Sequence, residues 1–183
     1  MSINTPYGEV SQSNFDAASK IKLLVCDVDG VFSDGRIYMG NDGEELKAFH
    51  THDGFGIKAL LNIGIEVAII TGRQSNIVQH RMQALGITRI YQGQQDKLVA
   101  YQQMLEQLSL RPEEVAYIGD DVVDTPVMRA CGLGVAVQDA HPLCKQSAHF
   151  ITQTRGGFGA VRELCDLLLQ AKGELDNAQG MSV

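Results

Sequence analysis

The stretch Leu23-Leu24-Val25-Cys26-Asp27-Val28-Asp29-Gly30-Val31 decides the fold. An unbroken apolar run leads into two carboxylates spaced two apart. Continuous apolar runs belong to strands buried on both faces, as in a parallel sheet covered by helices. Ligand sites in such sheets form beyond the carboxyl ends of the strands. A calcium loop of the helix–loop–helix kind also begins Asp-x-Asp, but it needs glycine at its sixth position, and Gly30 is the fourth here. A plain Asp-Gly turn accounts for one carboxylate and leaves the other unexplained.

Outward from this stretch, short apolar runs alternate with helical patterns. Strands are expected at 21–26, 66–70, 89–91, 115–118 and 134–136, and helices at 53–62, 75–85, 97–108, 124–131 and 159–169. The alternation predicts an α/β fold with a doubly wound, Rossmann-like parallel sheet. One segment breaks it. Residues 36–39 and 45–50 flank Gly40-Asn41-Asp42-Gly43, a set of hairpin-turn residues. A β-hairpin ribbon is expected at 36–50, and because an isolated ribbon is marginal in water it needs something to pack on. Residues 1–19 are expected to be a mobile lead, 20–172 the single domain, and 173–183 a polar tail.

The 183 residues carry 15 Lys+Arg against 22 Asp+Glu, a net charge of −7. That balance argues against a nucleic-acid or anionic-membrane surface, since either needs a basic face. No apolar run approaches the ~18 residues that span a bilayer. Cys26, Cys131, Cys144 and Cys165 form no Cys-x-x-Cys pair, so they read as free thiols in a reducing, cytoplasmic setting.

Three further signals carry chemistry. Ile69-Ile70-Thr71-Gly72-Arg73 ends another apolar strand with a hydroxyl, a small residue and a forked guanidinium suited to an anion; Thr-Gly is equally a strand-to-helix turn. Tyr117-Ile118-Gly119-Asp120-Asp121-Val122-Val123-Asp124 gathers acids at a third strand end, where they repel one another unless a cation is present, and magnesium (Mg2+) is the economical choice. Asp124 could instead cap a helix. Lys97 gains weight as the cation that a phosphate site beside four acids requires. Other chemistries are missing. There is no Gly-x-Ser-x-Gly elbow and no phosphate-binding Gly-x-x-x-x-Gly-Lys loop, and Arg162 stands where a dinucleotide fingerprint around Gly157 and Gly159 needs its third glycine.

In this order, Asp27-x-Asp29, Thr71, Lys97 and Gly119-Asp120-Asp121-x-x-Asp124 resemble the haloacid dehalogenase superfamily of phosphohydrolases. The resemblance implies that Asp27 is the nucleophile and that Asp29 is the general acid and then the base. It implies magnesium held by the Asp27 carboxylate, the Asp29 backbone carbonyl and the Asp120 carboxylate. Thr71 and Lys97 would bind the phosphoryl oxygens, with Asp121 and Asp124 as outer-shell residues.

Between Asp29 and Thr71 there is room for the ribbon and one helix, and between Thr71 and Lys97 for one helix and one strand, so no cap domain is expected. Within the superfamily, 27–35, the ribbon, 53–56 and 156–163 are similar to the capless 3-deoxy-D-manno-octulosonate 8-phosphate phosphatases. The likeness implies a cytoplasmic, magnesium-dependent homotetramer, with a small phosphorylated sugar acid as substrate, serving lipopolysaccharide precursor synthesis. His50, Thr51, His52, Asp53, Gly54, Lys58, Arg73 and Arg81, with Asp29 and Lys97, are the candidates to bind that substrate. Two positions depart from the family habit: His52 and Phe158 stand where a basic residue is common. Rival readings are a phosphatase for another sugar acid, such as an acylneuraminate 9-phosphate, or a catalytically idle assembly or regulatory subunit on the same scaffold.

Overall fold

The computed structural model of the chain describes residues 1–180. In chain order the elements are β1 (Ser2–Thr5), β2 (Gly8–Ser11), α1 (Gln12–Lys20), β3 (Leu23–Cys26), β4 (Tyr38–Met39), β5 (Glu45–Leu46), α2 (Thr51–Asn62), β6 (Glu66–Ile70), α3 (Asn76–Ala84), β7 (Arg89–Tyr91), α4 (Lys97–Leu108), β8 (Val115–Gly119), α5 (Thr125–Ala130), β9 (Leu133–Ala136), α6 (Pro142–Ser147), β10 (Phe150–Ile151) and α7 (Ala160–Ala171). Six strands form one parallel sheet in the order β10-β9-β8-β3-β6-β7. β3 lies at its centre, paired with β6 on one side and β8 on the other. The crossover direction reverses about β3, which makes its carboxyl end the switch point where open sheets bind ligands.

Every residue of β3, β8 and β9 is buried, as is β6 beyond Glu66. That explains their uninterrupted apolar sequences: helices cover both faces, so neither face can be polar. Burying each such Val, Leu or Ile contributes roughly 1.5–3 kcal/mol. α7 packs on α1 and α2, and α4 packs on α5. No domain intervenes between β3 and β6 beyond the ribbon and α2, in keeping with a capless architecture.

Three sequence expectations need correction. The lead expected to be mobile at 1–19 is folded. β1 and β2 pair as an antiparallel hairpin, and Ser11 caps α1 by accepting the Asn14 N–H at 3.3 Å. The Tyr7 hydroxyl donates to Asp166 at 2.9 Å, and the Gln170 amide donates to the Asn4 carbonyl, also at 2.9 Å. These partners lie more than 150 residues away, so no local pattern could announce them. The ribbon is shorter than expected, since only Tyr38↔Leu46 and Met39↔Glu45 pair. Of the tail, Leu175–Asn177 forms a 3₁₀ turn and the Gln179 carbonyl accepts from Asn62 at 2.7 Å; 181–183 lie outside the described residues.

Candidate active site

Backbone pairing sets the nucleophile candidate in place. The Asp27 N–H donates to the Ile118 carbonyl at 3.0 Å, extending the β3–β8 ladder by one residue. The chain then turns at once: Val31, Phe32 and Ser33 all donate to the Val28 carbonyl. Val28, Val31 and Phe32 are buried, so apolar anchors hold this loop although it carries polar chemistry. Gly30 is required within it. Its φ is +84°, and a Cβ there would collide with the Asp120 carboxylate.

The carboxyl ends of β3, β6 and β8 open into a cavity of about 330 Å³, lined by Asp27, Asp29, Thr71, Gly72, Arg73, Lys97, Asp120 and Asp121, with Gly35, Gln94, Gln95 and Val123. Thr71 continues the β6–β7 ladder, donating to the Tyr91 carbonyl at 2.9 Å, and is buried. Lys97 stands in the first turn of α4, which Asp96 caps through the Leu98 and Val99 N–H groups. Its ammonium lies 3.0 Å from Asp27 and 2.8 Å from Asp124. Burial opposes the charged lysine, but those two carboxylates outweigh it and raise its pKa.

Asp124 has its oxygens fully engaged. Oδ1 takes Lys97 and the Tyr117 hydroxyl at 2.5 Å, and Oδ2 takes the Asp120 and Asp121 N–H groups at 2.9 and 3.0 Å. This saturation suits an outer-shell residue that orients Lys97 and the 120–121 backbone. Asp121 caps the turn that follows, accepting from Val122 at 2.7 Å.

The carboxylates of Asp27, Asp120 and Asp124 each bring an oxygen within 4.8 Å of the others. Burial raises the pKa of both Asp27 and Asp120, and neighbouring acids raise it further, Asp124 acting on Asp27 and Asp27 on Asp120. Such a cluster is strained by like charge, and hard oxygen donors of this kind fit magnesium. Asp124 already takes four donors, against two on Asp27 from Lys97 and the Val28 N–H, so Asp27 and Asp120 are the better candidates of the three to hold it.

Residues 86–163 match the model of the haloacid dehalogenase-like hydrolase family. The 3-deoxy-D-manno-octulosonate 8-phosphate phosphatase of Escherichia coli K12 is 57% identical over 182 residues, covering 100% of this chain and 97% of the relative. The chain belongs to the family of 3-deoxy-D-manno-octulosonate 8-phosphate phosphatases. A crystal structure of the family's Yersinia pestis member superposes with a TM-score of 0.98 at 56% identity, covering 100% of this chain and 99% of that one. The Moraxella catarrhalis phosphatase, in complex with magnesium, phosphate and a KDO molecule, has a TM-score of 0.90 at 42% identity over 92% of this chain and 97% of that one.

Set within this phosphatase family, the remaining sequence candidates divide. Arg73 lines the cavity rim. His50, Thr51, His52, Asp53, Gly54, Lys58 and Arg81 do not line the cavity. His50 caps α2, accepting the His52 N–H at 3.2 Å. Asp53 points into the interior and accepts the Arg162 N–H at 2.9 Å, tying α2 to the start of α7. Burial pushes its carboxyl up to about 7, against the pull of that N–H and of Arg81 and Arg162. Gly54 packs against the Arg81 guanidinium, and Lys58 lines a separate groove with Leu61 and Leu85. Within this helix start Asp53 and Gly54 face α7 and α3, whereas Thr51 and His52 are exposed.

Sequence reasoning missed Gln94 and Gln95, which reach the cavity from the loop before α4. It also missed Glu45 and Lys47 of the ribbon. Lys47 forms an ion pair with Asp29 and lies 3.3 Å from Glu45, which in turn takes Arg73 at 3.1 Å. A lysine in a polar segment carries no local signal of burial.

Proposed function

We propose that this chain is a magnesium-dependent phosphatase that converts 3-deoxy-D-manno-octulosonate 8-phosphate to the free sugar acid and phosphate. The observation that carries the reading is the pairing of the Asp27 carboxylate with the buried Lys97 ammonium at the floor of an acidic cavity. A carboxylate alone would repel a phosphate dianion; beside a fixed cation it can approach one.

An Asp27 oxygen attacks phosphorus, the bond from phosphorus to the sugar's C8 oxygen breaks, and Asp29 gives that oxygen a proton. Asp27 then carries the phosphoryl group. Asp29 takes a proton from the water that attacks the aspartyl-phosphate, which releases inorganic phosphate and restores the Asp27 carboxylate. Thr71 and Lys97 hold phosphoryl oxygens throughout. Magnesium, when held by the Asp27 and Asp120 carboxylates and the Asp29 backbone carbonyl, neutralises charge on those oxygens. Arg73, at the rim, is suited to the sugar's carboxylate.

The working form is a cytoplasmic homotetramer in lipopolysaccharide precursor synthesis. All four cysteines are free and buried, as a reducing compartment permits. Tyr38, Met39 and Leu46 of the ribbon are exposed apolar side chains, a surface suited to identical subunits.

A panel of sugar phosphates assayed with magnesium tests the substrate. The eight-carbon acid phosphate should give the highest kcat/KM. A higher value for a nine-carbon acid phosphate, or no phosphate release from any member, overturns the reading.

A further inference from the structure

Lys47 has no part in the scheme above, yet its position is specific. Its side chain is fully buried, and it lies outside the cavity lining. It meets Asp29 through Oδ1, and Oδ2 takes no other contact among the described residues. Its second partner, Glu45, holds Arg73. An unbroken chain of charges therefore runs from the rim guanidinium through the ribbon to the carboxylate that handles the proton.

We propose that Lys47 is a positioning residue: it pins one Asp29 oxygen from behind the site and so aims the other at the leaving-group oxygen. The need is physical. Asp29 lies within the tight turn that follows Asp27, its side chain is 21% exposed, and Lys47 is the charged partner of its carboxylate. Without a fixed cation it would swing toward water. Misplacing a proton-transfer group by about 1 Å costs on the order of 10²-fold. The ribbon is then a working part of the proton-transfer apparatus as well as a surface for subunit contact.

This inference rests on the proton-transfer role given to Asp29, and the test separates the two. Lys47→Met, close in length and uncharged, is compared with wild type on two substrates: the sugar acid phosphate, whose alkoxide leaves poorly, and an aryl phosphate, whose phenolate leaves without a proton. The readout is the ratio of the two kcat/KM values. That quantity covers steps up to phosphoryl transfer, and the ratio is independent of the fraction of protein folded. Asp29→Asn supplies the reference. Lys47→Met should lower the sugar-to-aryl ratio by roughly ten- to a hundred-fold, in the same sense as Asp29→Asn. If Asp29→Asn lowers the ratio and Lys47→Met does not, the inference about Lys47 fails alone. An unchanged ratio in Asp29→Asn sinks the proton-transfer reading and this inference with it.

Discussion

Asp53 is a buried carboxylate that ties α2 to the start of α7. Its burial holds the proton to about pH 7, well above the ordinary carboxylate value. The folded state therefore binds a proton that the unfolded chain gives up near pH 4, and stability falls as pH rises between those values. The span amounts to on the order of 4 kcal/mol as an upper bound. Asp53→Asn keeps an acceptor for the Arg162 N–H without the charge. Its melting temperature should gain on wild type as pH rises from 4 to 8, and a constant difference across that range would count against this account. At the same scale, much of the site was legible. Asp27, Asp29, Thr71 and Asp120 sit where apolar runs end, and strand ends are readable from sequence. Lys47, Glu45, Gln94 and Gln95 were not legible, because only the folded loop brings the glutamines to the cavity and only the folded ribbon brings Lys47 to Asp29 and Glu45 to Arg73.

Among the elements, the joint between the glycine-rich turn and the catalytic loop has the largest consequence. Gly157 donates to the Val31 carbonyl at 2.9 Å with φ at +78°, and a Cβ there would meet the backbone of Ser33 and Asp34. The turn is thus a backstop for the loop that carries Asp27 and Asp29. Gly157→Ala meets about 1–2 kcal/mol of left-handed strain before any collision. A melting temperature lower by at least several degrees, with a fall in kcat, is expected in calorimetry and assay; wild-type values for both would remove the turn from the site's support. The core strands and their helices were readable because burial on both faces leaves a continuous apolar code. α1, α6 and β10 were not, since each is short and held by distant partners, as in the bond from Asn14 to the His149 carbonyl.

For the whole molecule, the proposed assembly and the proposed role of Lys47 both fall on the ribbon. Two residue pairs are too few to hold a hairpin in water, and its apolar side chains face outward. Four chains of 19.9 kDa should sediment together near 80 kDa. Met39→Asp, at a side chain 72% exposed in the single chain, should shift that species toward smaller ones. An intact tetramer in the variant would place the contact elsewhere.

The central claim is that phosphate passes through Asp27 on its way to water. Two successive in-line displacements at phosphorus invert its configuration twice. Hydrolysis of a phosphorothioate analogue of the substrate, its thiophosphoryl group made chiral with two oxygen isotopes and the water carrying the third, reads this directly, because the thiophosphate released is itself chiral. Net retention of configuration is the predicted result; inversion would mean that water attacks the substrate in a single step and that Asp27 never carries the phosphoryl group.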